Sequence, residues 1–161
     1  MEVTLRALSQ QDEKAIRALL EATAVFRKEE ILVAMELLDH AFKTPGQKDY
    51  NFFVAQARDK VAGYVCWGPT PGTRGTFDLY WIATDPALQG KGVGSRLMAA
   101  AENEMSLCGG RLCVVETSGL ASYEKTRRFY LQSGYSLAAK VADYYAPKDD
   151  LCIFTKRLTQ S

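Results

Sequence analysis

The stretch "DPALQGKGVGSR" constrains this chain more than any other. Three glycines, Gly90, Gly92 and Gly94, stand on alternate positions between a β-rich run and a long apolar helical pattern. Glycine is used where the backbone turns in ways other residues resist, or where something must approach it closely. The run before it, "FDLYWIAT" at residues 77–84, is rich in aromatic and β-branched residues. The pattern after it puts Val93, Leu97, Ala100, Ala101 and Met105 on a helix that ends near Gly109 and Gly110. "RLCVVET" at residues 111–117 is again a strand. A β-helix-β unit of this kind makes its two strands parallel neighbours with a right-handed crossover.

The other elements set that unit in an antiparallel sheet. "VTLRAL" at residues 3–8 alternates as a first strand, and Ser9 with Asp12 forms a capping box in which Asp replaces the usual Glu. Ile16, Leu19, Leu20 and Thr23 mark one helix face; Ile31, Met35, Leu38 and Phe42 mark a second helix, ended by "TPGQ". "YNFFVAQARDKVAGYVCWG" reads as a hairpin around Arg58, Asp59 and Lys60, with a second turn in "PTPGTRGT". Ser122 is placed to cap the helix "YEKTRRFYLQS", which Gly134 stops, and a closing antiparallel pair follows. The expectation is a single domain over residues 1–161 of α/β (α+β) class. It has a central mixed, mostly antiparallel sheet with one parallel strand pair, flanked by about four helices.

Composition narrows the function. The 161 residues are 47% hydrophobic and 24% charged, as expected of a soluble globular chain. A net charge of +1 provides no bulk attraction to nucleic acid or an anionic membrane, so any anion site must be local. No apolar run reaches the roughly 18 residues of a membrane span. The N-terminus lacks the basic-then-apolar pattern of a signal peptide, so a cytoplasmic location is expected. Cys66, Cys108, Cys113 and Cys152 form no C-x-x-C pair, and His40 is the lone histidine. No metal site is expected; the cysteines read as buried reduced thiols and His40 as a surface or packing residue.

Two readings of the glycines remain open from the residues alone. One is a tight strand-to-helix turn. The other is a phosphate cradle, in which the unpaired amides and dipole of a helix N-terminus meet an anion, with Lys91 and Arg96 adding charge. G-x-x-x-x-G-K-[ST] is absent, and the dinucleotide fingerprint fails because Ser95 stands where its third glycine belongs.

Here "QGKGVG" resembles the [QR]-x-x-G-x-[GA] motif of the GNAT superfamily of acetyl-CoA-dependent N-acetyltransferases. "IATDPALQGKGVG" and "FYLQSGY" resemble that family's strand–turn–helix segment and its F-Y-x-x-x-G-[FY] signature, in the right order. The resemblance implies a family fold over essentially the whole chain and acetyl-CoA as co-substrate. It implies that the amides of Gln89, Gly90, Lys91, Gly92, Val93, Gly94 and Ser95 hold the pyrophosphate. It implies that the backbone of Ile82, Ala83 and Thr84 bonds to the pantetheine arm like an added strand, where the two parallel strands splay at a bulge near Trp81 and Ile82. Thr126 and Tyr130 are further contacts. Tyr123 departs from the family, which often has Asn there.

The implied chemistry is direct transfer. Tyr130 occupies the family's general-acid position and is a phenol protonated at neutral pH. The base is open among Asp78, Tyr80 and Glu116, with Glu116 favoured because it ends the strand beside the expected thioester. "ADYYAPKDD", read as a loop between the last strands, carries aromatic and acidic groups suited to a cationic amine. The expected partner is a small-molecule primary amine, with a homodimer possible. The rivals are a protein or peptide N-terminal acetyltransferase and a non-catalytic acyl-CoA-binding regulatory domain.

Overall fold

A computed structural model describes residues 1–159. The elements run β1 (Thr4–Arg6), α1 (Glu13–Ala22), α2 (Lys28–Lys43), β2 (Asn51–Ala57), β3 (Lys60–Pro69), β4 (Thr76–Thr84), α3 (Val93–Leu107), β5 (Leu112–Ser118), α4 (Glu124–Gln132), β6 (Ser136–Ala146) and β7 (Asp149–Arg157). The strands are ordered β1-β2-β3-β4-β5-β7-β6 in one sheet. β4 and β5 are the parallel pair that the β-helix-β unit requires, in register from Thr76↔Leu112 to Leu79↔Val115. The β1–β2, β2–β3, β5–β7 and β6–β7 pairs are antiparallel. No described helix is long and apolar enough to cross a membrane. By its contacts the chain divides into two compact units: Met1–Gly68 with Trp81–Ala101, and Pro69–Tyr80 with the chain from Glu102 onward.

In the first unit, the apolar stripes of two helices close on one sheet face. Ile16, Leu19 and Leu20 of α1 and Ile31, Ala34, Met35 and Leu38 of α2 bury against Val54, Tyr64, Cys66 and Ala83. Burying each large side chain is worth roughly 1.5–3 kcal/mol, so these stripes rather than helix propensity hold α1 and α2 in place. The Ser9–Asp12 capping box forms, on a short 3-10 turn that leads into α1. Asp12 does more than cap. Arg6 donates to both its carboxylate oxygens at 2.8 Å, and Ser9 N–H donates to Oδ2 at 2.8 Å. Arg58 and Asp59, both at positive φ, form the two-residue turn between β2 and β3. His40 lies in the last turn of α2, its ring edge-on to Tyr50 at 5.3 Å.

In the second unit, α3 ends in a Schellman motif: Gly109 N–H donates to Ser106 O and Gly110 N–H to Met105 O. Tyr130 packs with Tyr135 and with Phe154, at centroid distances of 6.0 and 5.9 Å. A half-buried polar knot lies alongside. Tyr135 Oη and Lys156 Nζ each donate to Glu102 at 2.8 Å, and Lys156 also donates to Ser133 O.

Three expectations are corrected. Ser122 does not cap α4. It lies inside a 3-10 turn (Ala121–Tyr123), and Tyr123 is the N-cap residue. The reason is tertiary: Arg127 donates to Ser118 O and Leu120 O at 2.8 Å, which starts the turn at Leu120. The expected loop at residues 142–150 is mostly strand, since β6 runs to Ala146 and β7 begins at Asp149. A left-handed Asp143 (φ 57) absorbs the irregularity, donating N–H to Asp150 Oδ1 and accepting from Lys148 N–H. Cys66, Cys113 and Cys152 are buried thiols, but Cys108 is exposed just past the end of α3.

Candidate active site

The glycine stretch folds as a concave run of backbone. Asp85 Oδ1 accepts from Ala87 N–H at 2.9 Å and caps the 3-10 turn Pro86–Leu88. Gly90 (φ 78) and Gly92 (φ 82) then adopt left-handed conformations on either side of exposed Lys91. Nothing lies within 4 Å of where a Cβ would stand on either, so φ and not crowding demands glycine there. Alternating left- and right-handed residues turn successive amides to one side, a shape that cradles anions. Arg96 N–H makes the first helical bond of α3, to Gly92 O. The amides of Val93, Gly94 and Ser95 therefore have no intrahelical acceptor, and the helix dipole adds to their partial charge. The Gln89 and Lys91 amides instead reach Pro86 O and Leu88 O at 3.4 Å. Arg96 spends one guanidinium nitrogen on Val3 O.

Just upstream, the 82–84 segment is pressed against β3. Asp85 N–H donates to Ala62 O at 2.8 Å. Gly63 lies so close that a Cβ on it would stand 2.7 Å from Ala83 O, 3.1 Å from Leu97 Cδ1 and 3.3 Å from Thr84 Cα. A glycine inside a strand pattern marks such an approach; Gly63 is a residue the sequence reading passed over. Trp81, immediately before the segment, meets Phe26 edge-on at 5.1 Å.

In the second unit, the parallel register ends at Leu79↔Val115, and Tyr80 and Glu116 come next on their strands. Both are exposed. Asp78, by contrast, accepts from Thr70 Oγ1 at 2.7 Å and is half-buried. Of the three base candidates, Glu116 and Tyr80 are exposed, and Asp78 is half-buried against Thr70.

Tyr130 is buried, and burial first, then the Cys113 and Tyr145 groups, push its phenol well above the ordinary value. Cys113 beside it is pushed up to about 12, chiefly by burial. Tyr130 packs on Phe154, which pairs with Val115; alternation puts Glu116 on the other face of the sheet. The structure thus separates the two catalytic candidates by a sheet face. Thr126 is half-buried on α4.

Comparison with known proteins fits this arrangement. A family model described as an acetyltransferase (GNAT) domain matches residues 48–137. A solved GNAT-family protein from Desulfovibrio desulfuricans is 40% identical over 98% of this chain and 100% of its own, with a TM-score of 0.93. The chain belongs to the GNAT acetyltransferase family. At lower identity the likeness is one of fold. The ribosomal-protein-S18-alanine N-acetyltransferase of Escherichia coli is 19% identical over 99% of this chain and 96% of its own, with a TM-score of 0.77. yncA of Salmonella typhimurium, solved with its cofactor acetyl-CoA, is 19% identical over 100% of this chain and 96% of its own, with a TM-score of 0.76. No curated protein matches the chain in sequence. This GNAT acetyltransferase shows, among its described residues, no cluster of three or more side chains able to hold a metal ion.

Proposed function

We propose that this GNAT acetyltransferase moves the acetyl group of acetyl-CoA directly to a primary amine of a small molecule. The observation that carries the reading is the run of left-handed glycines opening into the amide-exposing N-terminus of α3. An anionic diphosphate suits it, and the neighbouring backbone at Ile82, Ala83 and Thr84 suits the pantetheine arm. Thr126 is a further contact to the donor.

When bound, acetyl-CoA supplies an activated acyl group as a thioester. The residues of the chain act around it. Glu116 takes the proton that the amine nitrogen loses as its bond to the acyl carbon forms. A backbone N–H near Ile82 or Ala83 donates to the acyl oxygen as charge builds on it. Tyr130, kept neutral by burial, offers its O–H to the sulfur as the C–S bond breaks, from the sheet face opposite Glu116. Solvent restores the Tyr130 proton and removes the one held by Glu116.

The test is cofactor binding followed by thiol release. Acetyl-CoA at a hundredfold excess over its Kd should stabilise the fold by about 2.7 kcal/mol. Free thiol should then appear with small primary amines. No stabilisation at millimolar acetyl-CoA contradicts the donor site. Stabilisation without thiol release for any amine favours a non-catalytic binding domain, and release with peptide N-termini alone favours a protein acceptor.

A further inference from the structure

Asp149, the first residue of β7, is a carboxylate that the mechanism above leaves unused. It is only 5% exposed. Its hydrogen bond comes from Ser118 Oγ at 2.5 Å, and among the described residues no Lys, Arg or His nitrogen lies within 4 Å of it. A buried carboxylate is costly unless a cation or several donors meet it. It offers about four acceptor positions, and Ser118 fills one. An asparagine would accept the same hydrogen bond without a charge, so the bond to Ser118 does not by itself account for an acid here.

The position of this carboxylate is informative. Ser118 lies two residues beyond Glu116, hence on the same face of β5 and about 7 Å further along. Ser118 pairs with Leu151 and Glu116 with Ile153, so Asp149, two before Leu151, shares that face. Tyr80 and Glu116 open onto it where the parallel register ends. Asp149 also pairs with Ala146, two residues past Tyr144, whose exposed ring suits an alkyl cation. Ser118 itself is held firmly: Leu120 N–H donates to its Oγ, Arg127 to its carbonyl, and Gly119 N–H to Asp150 O. The carboxylate thus sits at a rigid corner of the sheet.

We infer that Asp149 binds a second cationic group on the acceptor, so that the substrate class is a short aliphatic diamine: one amine is acetylated beside Glu116, the other stays protonated at Asp149. This rests on the acetyl-transfer reading and narrows its acceptor. The experiment compares diaminopropane, diaminobutane and diaminopentane with butylamine in a thiol-release assay, using the full chain and Asp149→Asn. Wild type should favour the best diamine over butylamine in kcat/KM by roughly tenfold or more. Added salt should weaken that preference. Asp149→Asn keeps the acceptor for Ser118, so its melting temperature should hold while the diamine preference falls to about one. A wild-type preference near one overturns the inference without needing the variant, as does a folded Asp149→Asn that keeps the preference. No turnover of any of these amines by a protein that acetyl-CoA stabilises also overturns it, and leaves the donor site standing. Failure of the acetyl-transfer reading itself shows separately, as no stabilisation by acetyl-CoA.

Discussion

Gly63→Ala perturbs the donor site without replacing a residue proposed to contact the donor. The added Cβ would stand 2.7 Å from Ala83 O, where ordinary contact begins at 3.4 Å. The nearest obstacle is backbone, so it cannot rotate aside, whereas Leu97 Cδ1 at 3.1 Å is the end of a side chain that need give only a few tenths of an ångström. The 83–84 peptide must yield by most of the difference. Overpacking of this kind costs about 1–3 kcal/mol, offset by about 0.4–1 kcal/mol from a stiffer unfolded chain. The net loss is about 1–2 kcal/mol, a fall in Tm of about 2–8 °C. The functional effect should be larger in proportion, because misplacing a binding group by a fraction of an ångström costs about ten- to a hundredfold in kcat/KM. The assay is thermal unfolding with and without acetyl-CoA, together with the KM for acetyl-CoA. A lowered Tm with unchanged KM would refute the role of the 82–84 backbone; an unchanged Tm would refute the crowding itself. Gly90→Ala is the contrasting control. Its Cβ meets open space, so its cost of about 1–2 kcal/mol comes from the left-handed backbone alone.

Tyr130→Phe should lower kcat by about a hundredfold while the KM for acetyl-CoA changes little, read from steady-state kinetics. Wild-type turnover would remove Tyr130 from the chemistry. The hydrogen bond from Arg6, the largest influence, holds Asp12 below its ordinary value. That stability is present above the unfolded carboxylate's pKa and is lost as pH falls through the lower folded value. Arg6→Ala should therefore cost about 2–4 kcal/mol near neutrality and flatten the acid limb of Tm against pH. At the alkaline end, burial raises Tyr64, Tyr130, Tyr135, Cys66 and Cys113. Groups raised in the fold contribute stability below their unfolded values and lose it above. Tm should hold to about pH 8.5, then fall, with each group contributing up to about 1.4 kcal/mol per pH unit.

What the sequence makes legible follows from how local its causes are. The alternation of Gly90 and Gly92 reads directly, because left-handed φ is a property of those residues and their neighbours. The helical stripes of α1 and α2 read for the same reason: their periodicity is the packing. Ser122 misleads because its local propensity to cap is overruled by Arg127, which reaches back to Ser118 and Leu120. Gly63 looks like an ordinary glycine in a strand until Ala83 and Thr84, about twenty residues on, are brought against it. Asp149 looks like one acid among several at a hairpin; only the fold, with Ser118 across the sheet, shows that it is buried and, among the described residues, without a cation. The exposure of Glu116 and the engagement of Asp78 are likewise settled by strand register and by Thr70.

In the proposed function, backbone amides at the start of α3 receive the donor's pyrophosphate. Titrating coenzyme A into nitrogen-15-labelled protein and following its amide resonances tests that most directly. The largest shifts should fall on Gly90, Gly92, Val93, Gly94 and Ser95, and Gly90→Ala should weaken binding. Saturable binding that leaves those five resonances in place and shifts a different segment would contradict it.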